Sequence, residues 1–420
     1  MHILWFTGVQ LPAVTGEGLS RAGWQEGLRR VLYQYYPDLQ LSIASFGSEP
    51  YQPFRSENAT YFNIYREPQS GSRLKRIKNN WRHSSYKPED LVRILDVYER
   101  IKPDLVFIFG TENPFGLVSD QFSVPPVISI QAVINGLVKN LLMGLSPLEL
   151  SREFSSRQTI AGQGIFHKWW THKKYSRIER TISQKNHYFT GRTDWDKNWL
   201  GRLNPSAKYF HIDRVLGLDY YQSVWQFESS IENQIFSLSG NAPFKGGLSL
   251  VRAIAQLKQD GNDQIHLRLA GVNRESNVGK YITRVIQQAD LKNQVTLLGR
   301  LTPAEIVKEM LAARLFVLPS HMDNSPNSLA EAMILGMPCI ASNAGGIPSM
   351  LKDKSEGLIY QHTDIKALAA KILLLLDDQK TSQELGKNAR QTALTRHNPE
   401  RIARHSYQVY LDVLAEGKVE

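Results

Sequence analysis

Short apolar runs alternate with longer amphipathic stretches along most of the chain. His2–Phe6 predicts a strand, a glycine-bearing loop follows, Gly23–Tyr36 has the spacing of an amphipathic helix, and Leu41–Phe46 predicts the next strand. This is a βαβ opening. Leu105–Phe109, Pro126–Ile130 and His187–Thr190 predict further strands, each separated from the last by helical or polar sequence. Such alternation is the pattern of a parallel, doubly wound α/β sheet. The polar and aromatic stretch Asp213–Glu232 breaks the rhythm, and Gln234–Leu238 restarts it. A helix over Gly246–Lys258 and strands at His266–Ala270, Val295–Leu298, Leu315–Leu318 and Pro338–Ala341 then read as a second Rossmann-like unit. The tail Pro399–Leu414 carries Ile402, Tyr407, Tyr410 and Val413 at helical spacing. The expected organisation is a first domain over 1–215, a linker over 216–232, a second domain over 233–395 and a terminal helix in 396–420.

At 420 residues, the length also favours two domains. A hydrophobic share of 42% with 21% charged residues is that of a globular protein. No apolar run approaches the roughly 18–20 residues of a membrane span, so a cytoplasmic protein is expected. The single cysteine, Cys339, leaves no internal disulfide and no multi-cysteine metal site. Its apolar surroundings, Met337–Ala341, predict a buried thiol.

The net charge of +10 is unevenly placed. Residues 1–215 hold 28 Lys and Arg against 19 Asp and Glu, an excess of 28 − 19 = 9, whereas 216–420 hold 22 against 21, an excess of 1. Arg73–Lys87 and Lys139–Lys185 concentrate it. The first half is therefore expected to meet an anionic partner. The stretch Phe166–Arg177, with Trp169, Trp170 and four Lys or Arg, suits an anionic membrane surface or a solvated helix face packed by two tryptophans. Nothing resembles a base-reading module, so nucleic acid is not expected.

The segment Pro319–Gly346 carries the most chemistry. A strand ends at Leu318, a loop presents Asp323 and Ser325, and Pro326 opens a helix whose first turn holds Asn327, Ser328 and Leu329. Free N–H groups and the positive dipole end at such a start favour a diphosphate. Glu331 follows eight residues after Asp323, giving two carboxylates able to accept hydrogen bonds from sugar hydroxyls.

These residues resemble the donor-binding signature of glycosyltransferase family 4, in which two acids are separated by seven residues. Pro-Asn-Ser-Leu, Glu-Ala-Met, Gly-Met-Pro and Gly-Gly match as well. The first acid is usually Glu in the family and is Asp323 here, a carboxylate shorter by one methylene. The resemblance implies that Glu331 binds the nucleotide ribose and Asp323 the transferred sugar. A second match is Phe236–Gly247. Lys245 and Gly246 fit the family's Lys-Gly, while Asn241 stands where its Arg is usual. Lys245 would neutralise the departing diphosphate, with a second cation supplied by Arg300 or Arg192, each of which reads equally as a surface or interdomain arginine. Base recognition is expected near Gly299–Leu301, including Leu301.

The first half matches more loosely. Ala22–Arg29 is similar to a Gly-Gly-Trp helix start of the family, which points to Gly23 as a cleft residue. Gly16 and Gly18 precede it and either shape the acceptor side or turn the chain. Gln131 stands where family members often carry a sugar-contacting His, and could bond a sugar hydroxyl. Gly191–Asp196 looks like a feature of a bacterial subset.

The resemblance spans the whole chain. It implies a GT-B fold of two Rossmann-like domains facing a cleft, with the terminal helix crossing back to the first, and a metal-independent retaining transfer. The implied activity moves a sugar from a nucleotide-diphosphate sugar to a glycan or lipid-linked glycan acceptor in bacterial surface polysaccharide or glycolipid synthesis. No cofactor is expected, and a peripheral place at the inner membrane face is implied for a lipid-linked acceptor. Two other readings are a nucleotide-sugar epimerase of the same fold and a catalytically decayed carbohydrate-binding protein.

Overall fold

The structure, a computed structural model, describes residues 1–15, 23–67, 72, 77, 81, 86–153 and 164–417. Gly16, Gly18 and the basic residues of Arg73–Lys87 other than Lys87 lie outside the described residues. The chain forms two compact units, one of residues 1–138, 159–215 and 397–420, the other of 139–158 and 216–396.

The first unit holds strands β1 (His2–Thr7), β2 (Gln40–Gly47), β3 (Phe54–Ser56), β4 (Ala59–Tyr65), β5 (Leu105–Phe109), β6 (Pro126–Ser129), β7 (Tyr188–Gly191) and β8 (Lys208–His211). Their order is β3-β4-β2-β1-β5-β6-β7-β8, and every pair is parallel except β3 with β4. Side chains of a strand alternate between faces, so a sheet covered on both sides needs apolar residues at every position. β1 does this: Ile3 and Trp5 enter one core with Phe107, Phe109 and Tyr410, while Leu4 and Phe6 enter another with Ile108, Phe115 and Tyr98. The terminal helix Pro399–Glu416 belongs to the first unit and lies on the helix Gly23–Tyr35. Tyr407 stacks on Tyr36 with centroids 3.8 Å apart and planes 6° from parallel.

The second unit holds β9 (Ile231–Leu238), β10 (His266–Ala270), β11 (Val295–Gly299), β12 (Ala313–Leu318), β13 (Cys339–Ser342) and β14 (Leu358–Tyr360), all parallel in the order β11-β10-β9-β12-β13-β14. Phe236 and Phe316 pack at its centre, and Cys339 is fully buried, with its thiol pKa pushed far up by the loss of water.

Two expectations about organisation change. Residues 216–232 are not a linker, because Leu216, Tyr220 and Trp225 are buried in the core of the second unit. The Trp225 indole donates to the Ala313 carbonyl at 2.8 Å, so the stretch is anchored by aromatic burial rather than by periodic patterning. The described residues 139–153, read from sequence as part of the first domain, pack with the second.

Candidate functional site

In an open parallel sheet, ligands bind outside the carboxyl ends of the strands where the winding reverses. In the second unit that point lies between β9 and β12, which are neighbours although β10 and β11 intervene in sequence. The loop after β9 ends in a 3₁₀ turn, Pro243–Lys245, and the loop after β12 presents Asp323. Their tips meet: Lys245 Nζ lies 2.6 Å from Asp323 Oδ2, with the lysine side chain 36% and the aspartate 14% exposed. Both ions are thus partnered yet reachable from solvent.

Glycines hold this meeting in place. Gly246 has φ +75, and a Cβ there would lie 1.8 Å from the Pro319 carbonyl oxygen. Gly345 has φ +57, and its Cβ would lie 2.0 Å from the Asp323 carbonyl, which accepts from Gly346 N–H at 2.9 Å. Neither position admits a side chain without moving the loop. His321, two residues before Asp323, is buried and links its ring to Ser249 Oγ at 2.9 Å and to the His362 ring at 3.3 Å. Burial, reinforced by His362, lowers its pKa to about 4.

Asp323 is followed by the helix Asn327–Leu335, whose start at Pro326 carries no side-chain cap. Ser325 and Asn327 are partly exposed there, and Pro326, Ser328 and Leu329 are buried. The first-turn N–H groups therefore retain the anion-binding character of a helix start. Glu331, one turn further on, is partly exposed and accepts a hydrogen bond from the Tyr220 hydroxyl. Loss of water around its carboxyl raises the pKa to about 7, partly offset by Tyr220. Tyr220 comes from the stretch read as a linker, and no local signal marks it as a partner for Glu331.

The remaining expected residues divide sharply. Asn241 accepts from Asn273 N–H at 2.8 Å and Ser276 Oγ at 3.0 Å, so its side chain braces the loop before the helix Asn277–Gln288. Arg300 stands exposed after β11, with no hydrogen-bond or ionic partner among the described residues, and Leu301 packs against the core. In the first unit, Gly23 is exposed at the start of its helix, and a Cβ there would touch none of the described residues. Gln131 is occupied: its amide nitrogen donates to Ser129, and its oxygen accepts from Arg192 at 2.9 Å and Arg214 at 3.3 Å. Arg192 is buried, donates also to the Ile130 carbonyl, and lies with Arg214 over the Trp24 ring.

Sequence reasoning missed two carboxylates near the carboxyl end of the first sheet. Glu179 is fully buried, accepts from the N–H groups of Ile134 and Asn135 and the side chains of Asn135 and Thr111, and has its pKa pushed by burial to about 7. Glu112 occupies the space a Cβ on Gly110 would need, and burial raises its pKa too. Their partners lie far along the chain or in backbone geometry, which a motif search does not see.

The second unit combines a switch-point ion pair, an uncapped helix start and a spaced pair of acids. Residues 225–392 match the family of glycosyl transferases group 1. Over 138 residues the chain is 28% identical to an N-acetyl-alpha-D-glucosaminyl L-malate synthase of Bacillus anthracis, an alignment covering 33% of this chain and 35% of that one. The chain thus spans about a third of that curated relative. Among solved structures, the sucrose-phosphate synthase of Thermosynechococcus elongatus superposes with a TM-score of 0.74 at 18% identity, covering 99% of this chain and 100% of the other. The Anabaena Alr3699/HepE protein in complex with UDP-glucose gives 0.66 at 15% identity, covering 99% and 100%. Agreement along the whole chain at such low identity speaks to the fold, which is GT-B with two Rossmann-like α/β domains.

Proposed function

We propose that this protein is a family 4 glycosyltransferase that moves a sugar, with retention of configuration, from a nucleotide-diphosphate sugar to a glycan or lipid-linked glycan acceptor in bacterial surface polysaccharide or glycolipid synthesis. The observation that carries the reading is the Lys245–Asp323 pair beside the uncapped Asn327 helix. An incoming diphosphate would replace Asp323 as the partner of Lys245, releasing the carboxylate to accept sugar hydroxyls. Glu331 would accept from the ribose. As the glycosidic bond to the diphosphate breaks and an oxocarbenium-like centre develops, Lys245, the helix start and exposed Arg300 would stabilise the departing charge. These groups supply the compensation without a metal. The matched family, the glucosaminyl malate synthase and the UDP-glucose complex of the Anabaena protein support a nucleotide-sugar donor.

The acceptor side rests on charge. No helix among the described residues is long and apolar enough to cross a membrane. Along the helix Gly164–Lys185, Lys173, Arg177 and Arg180 are exposed, which supports contact with an anionic membrane surface. Trp170 is instead packed on Trp81, with centroids 5.1 Å apart, so the exposed cations rather than Trp170 would make that contact.

Calorimetric titration with UDP, GDP and ADP, followed by their common sugar conjugates, tests the donor reading. Micromolar to millimolar binding of one nucleotide, lost in Glu331→Ala, is the expected result, and no binding of any of them would sink it. Vesicles with and without acidic lipid, at low and high salt, test the surface reading.

A further inference from the structure

The stretch 139–153 comes from the first half of the sequence, yet it packs within the second unit, against the two loops that carry the candidate site. Asn140 Nδ2 points at the Met322 sulfur at 3.6 Å. Gly144, at φ +88, lies so close that a Cβ would sit 3.0 Å from His321 Nε2 and 3.3 Å from the Pro243 carbonyl. His321 and Met322 immediately precede Asp323, and Pro243 opens the turn that ends in Lys245.

A charged cluster fastens the stretch. Arg252, in the helix Gly247–Gln259, donates through Nη1 to the Gly144 carbonyl at 2.9 Å and through Nη2 to Glu149. Glu149 also accepts from the Tyr281 hydroxyl and from Ser146 N–H, the latter at 2.6 Å. Burial pushes the Glu149 pKa up, but the bonds from Tyr281 and Ser146 and the Arg252 charge outweigh it, so the carboxyl titrates below its ordinary range. The cluster reaches the site through the Gly144 backbone, whose carbonyl Arg252 holds.

We propose that the Glu149–Arg252–Tyr281 cluster is a positioning device for the Lys245–Asp323 pair, pressing the Gly144 backbone against both loops so that 139–153 forms one wall of the diphosphate end of the donor site. The proposal rests on the nucleotide-sugar reading above. The wall faces His321, Met322 and Pro243, beside Asp323 and Lys245, so it acts on the diphosphate and sugar end of the site.

The test uses the full chain and two probes: whichever of UDP, GDP or ADP the wild type binds, and the matching nucleoside monophosphate. Glu149→Gln and Gly144→Ala are each expected to weaken the diphosphate about tenfold while leaving the monophosphate within about twofold. Glu149→Asp should recover most of the loss. Tyr281→Phe, which removes one hydrogen bond, should show a smaller loss in the same direction and serves if Glu149→Gln does not fold. Wild-type diphosphate affinity in Glu149→Gln and Gly144→Ala, with loss in Lys245→Ala, overturns the positioning role and leaves the donor reading intact. Equal weakening of both probes reduces the cluster to general support of the fold and also overturns it. A wild type that binds none of the three diphosphates overturns the donor reading and this proposal together.

Discussion

At the carboxyl ends of β9 and β12 the charged groups are few, paired and open to solvent, whereas at the carboxyl ends of β5, β6 and β7 they are buried and bound to the protein itself. Lys245 and Asp323 are paired with each other and partly open to solvent, so either can exchange its partner for a ligand. Gln131 and Arg192 spend their hydrogen bonds on each other and on backbone carbonyls, and Glu179 on N–H groups and the side chains of Asn135 and Thr111. A side chain's position in a motif therefore says little about its freedom; the partners it already has decide that. The same contrast separates the glycines. Gly246 and Gly345 are demanded by carbonyl oxygens of this chain, while none of the described residues demands Gly23.

The glycine contrast gives the largest effect. Gly246→Ala forces a Cβ onto the Pro319 carbonyl at a positive φ, and should cost more than about 3 kcal/mol of stability in denaturant unfolding. Gly23→Ala, at an exposed helix start, should leave stability equal or raise it by up to about 1 kcal/mol. Equal losses at the two positions would break the comparison.

His321 sharpens it through pH. Its folded pKa, about 4, lies below the usual 6.5, so the unfolded chain binds the proton first as pH falls. The stability that neutral His321 contributes is complete above pH 6.5 and drains away toward pH 4, about 3 kcal/mol at most. His321→Asn should flatten unfolding free energy over that window, and an unchanged slope would show that the ring is not held neutral.

Glu331 runs the other way. Its folded pKa, about 7, exceeds the ordinary 4.5, so its protonated form favours folding below pH 4.5 and that contribution is lost as pH rises through 7. With the proposed ribose contact, nucleotide binding should weaken as pH falls below about 7, by roughly 1.5–3 kcal/mol when the charge is gone. Tyr220→Phe removes the hydrogen bond that favours the carboxylate, and should move the midpoint of a calorimetric pH series upward.

The smallest expected effect is at Asn241. Replacing it with Arg restores the cation usual in family 4 but strips Asn273 N–H and Ser276 Oγ of their acceptor, at a cost of about 1 kcal/mol in melting experiments. Unchanged stability would mean that the loop before Asn277 braces itself.

The strands were legible wherever an apolar run is covered on both faces, as at Leu105–Phe109, whose predicted and observed limits coincide. The β3–β4 hairpin was not: β4 mixes polar with apolar residues, and its turn passes through Glu57 at φ 51, with no glycine to announce it. β14 has only three residues, too few for any period. At the candidate site, Lys245 and Gly246 were legible within one strand-loop-helix unit and Asp323 and Glu331 within another, because each unit sets its own spacing. Tyr220 and Glu149 were not, since each reaches its partner across more than a hundred residues and no local pattern encodes that meeting.

Cys339 makes the molecule its own reporter. It is the only thiol in the chain, lies fully buried in β13 and has a pKa raised far above neutral, so the folded protein is silent to a maleimide at pH 7. Only molecules whose second unit has opened can be labelled. The rate of modification, read by mass spectrometry as one added tag, therefore measures how often that unit unfolds, without denaturant and without an engineered probe. Conversely, a cysteine introduced anywhere on the surface becomes the sole reactive position, ready to carry a single fluorophore.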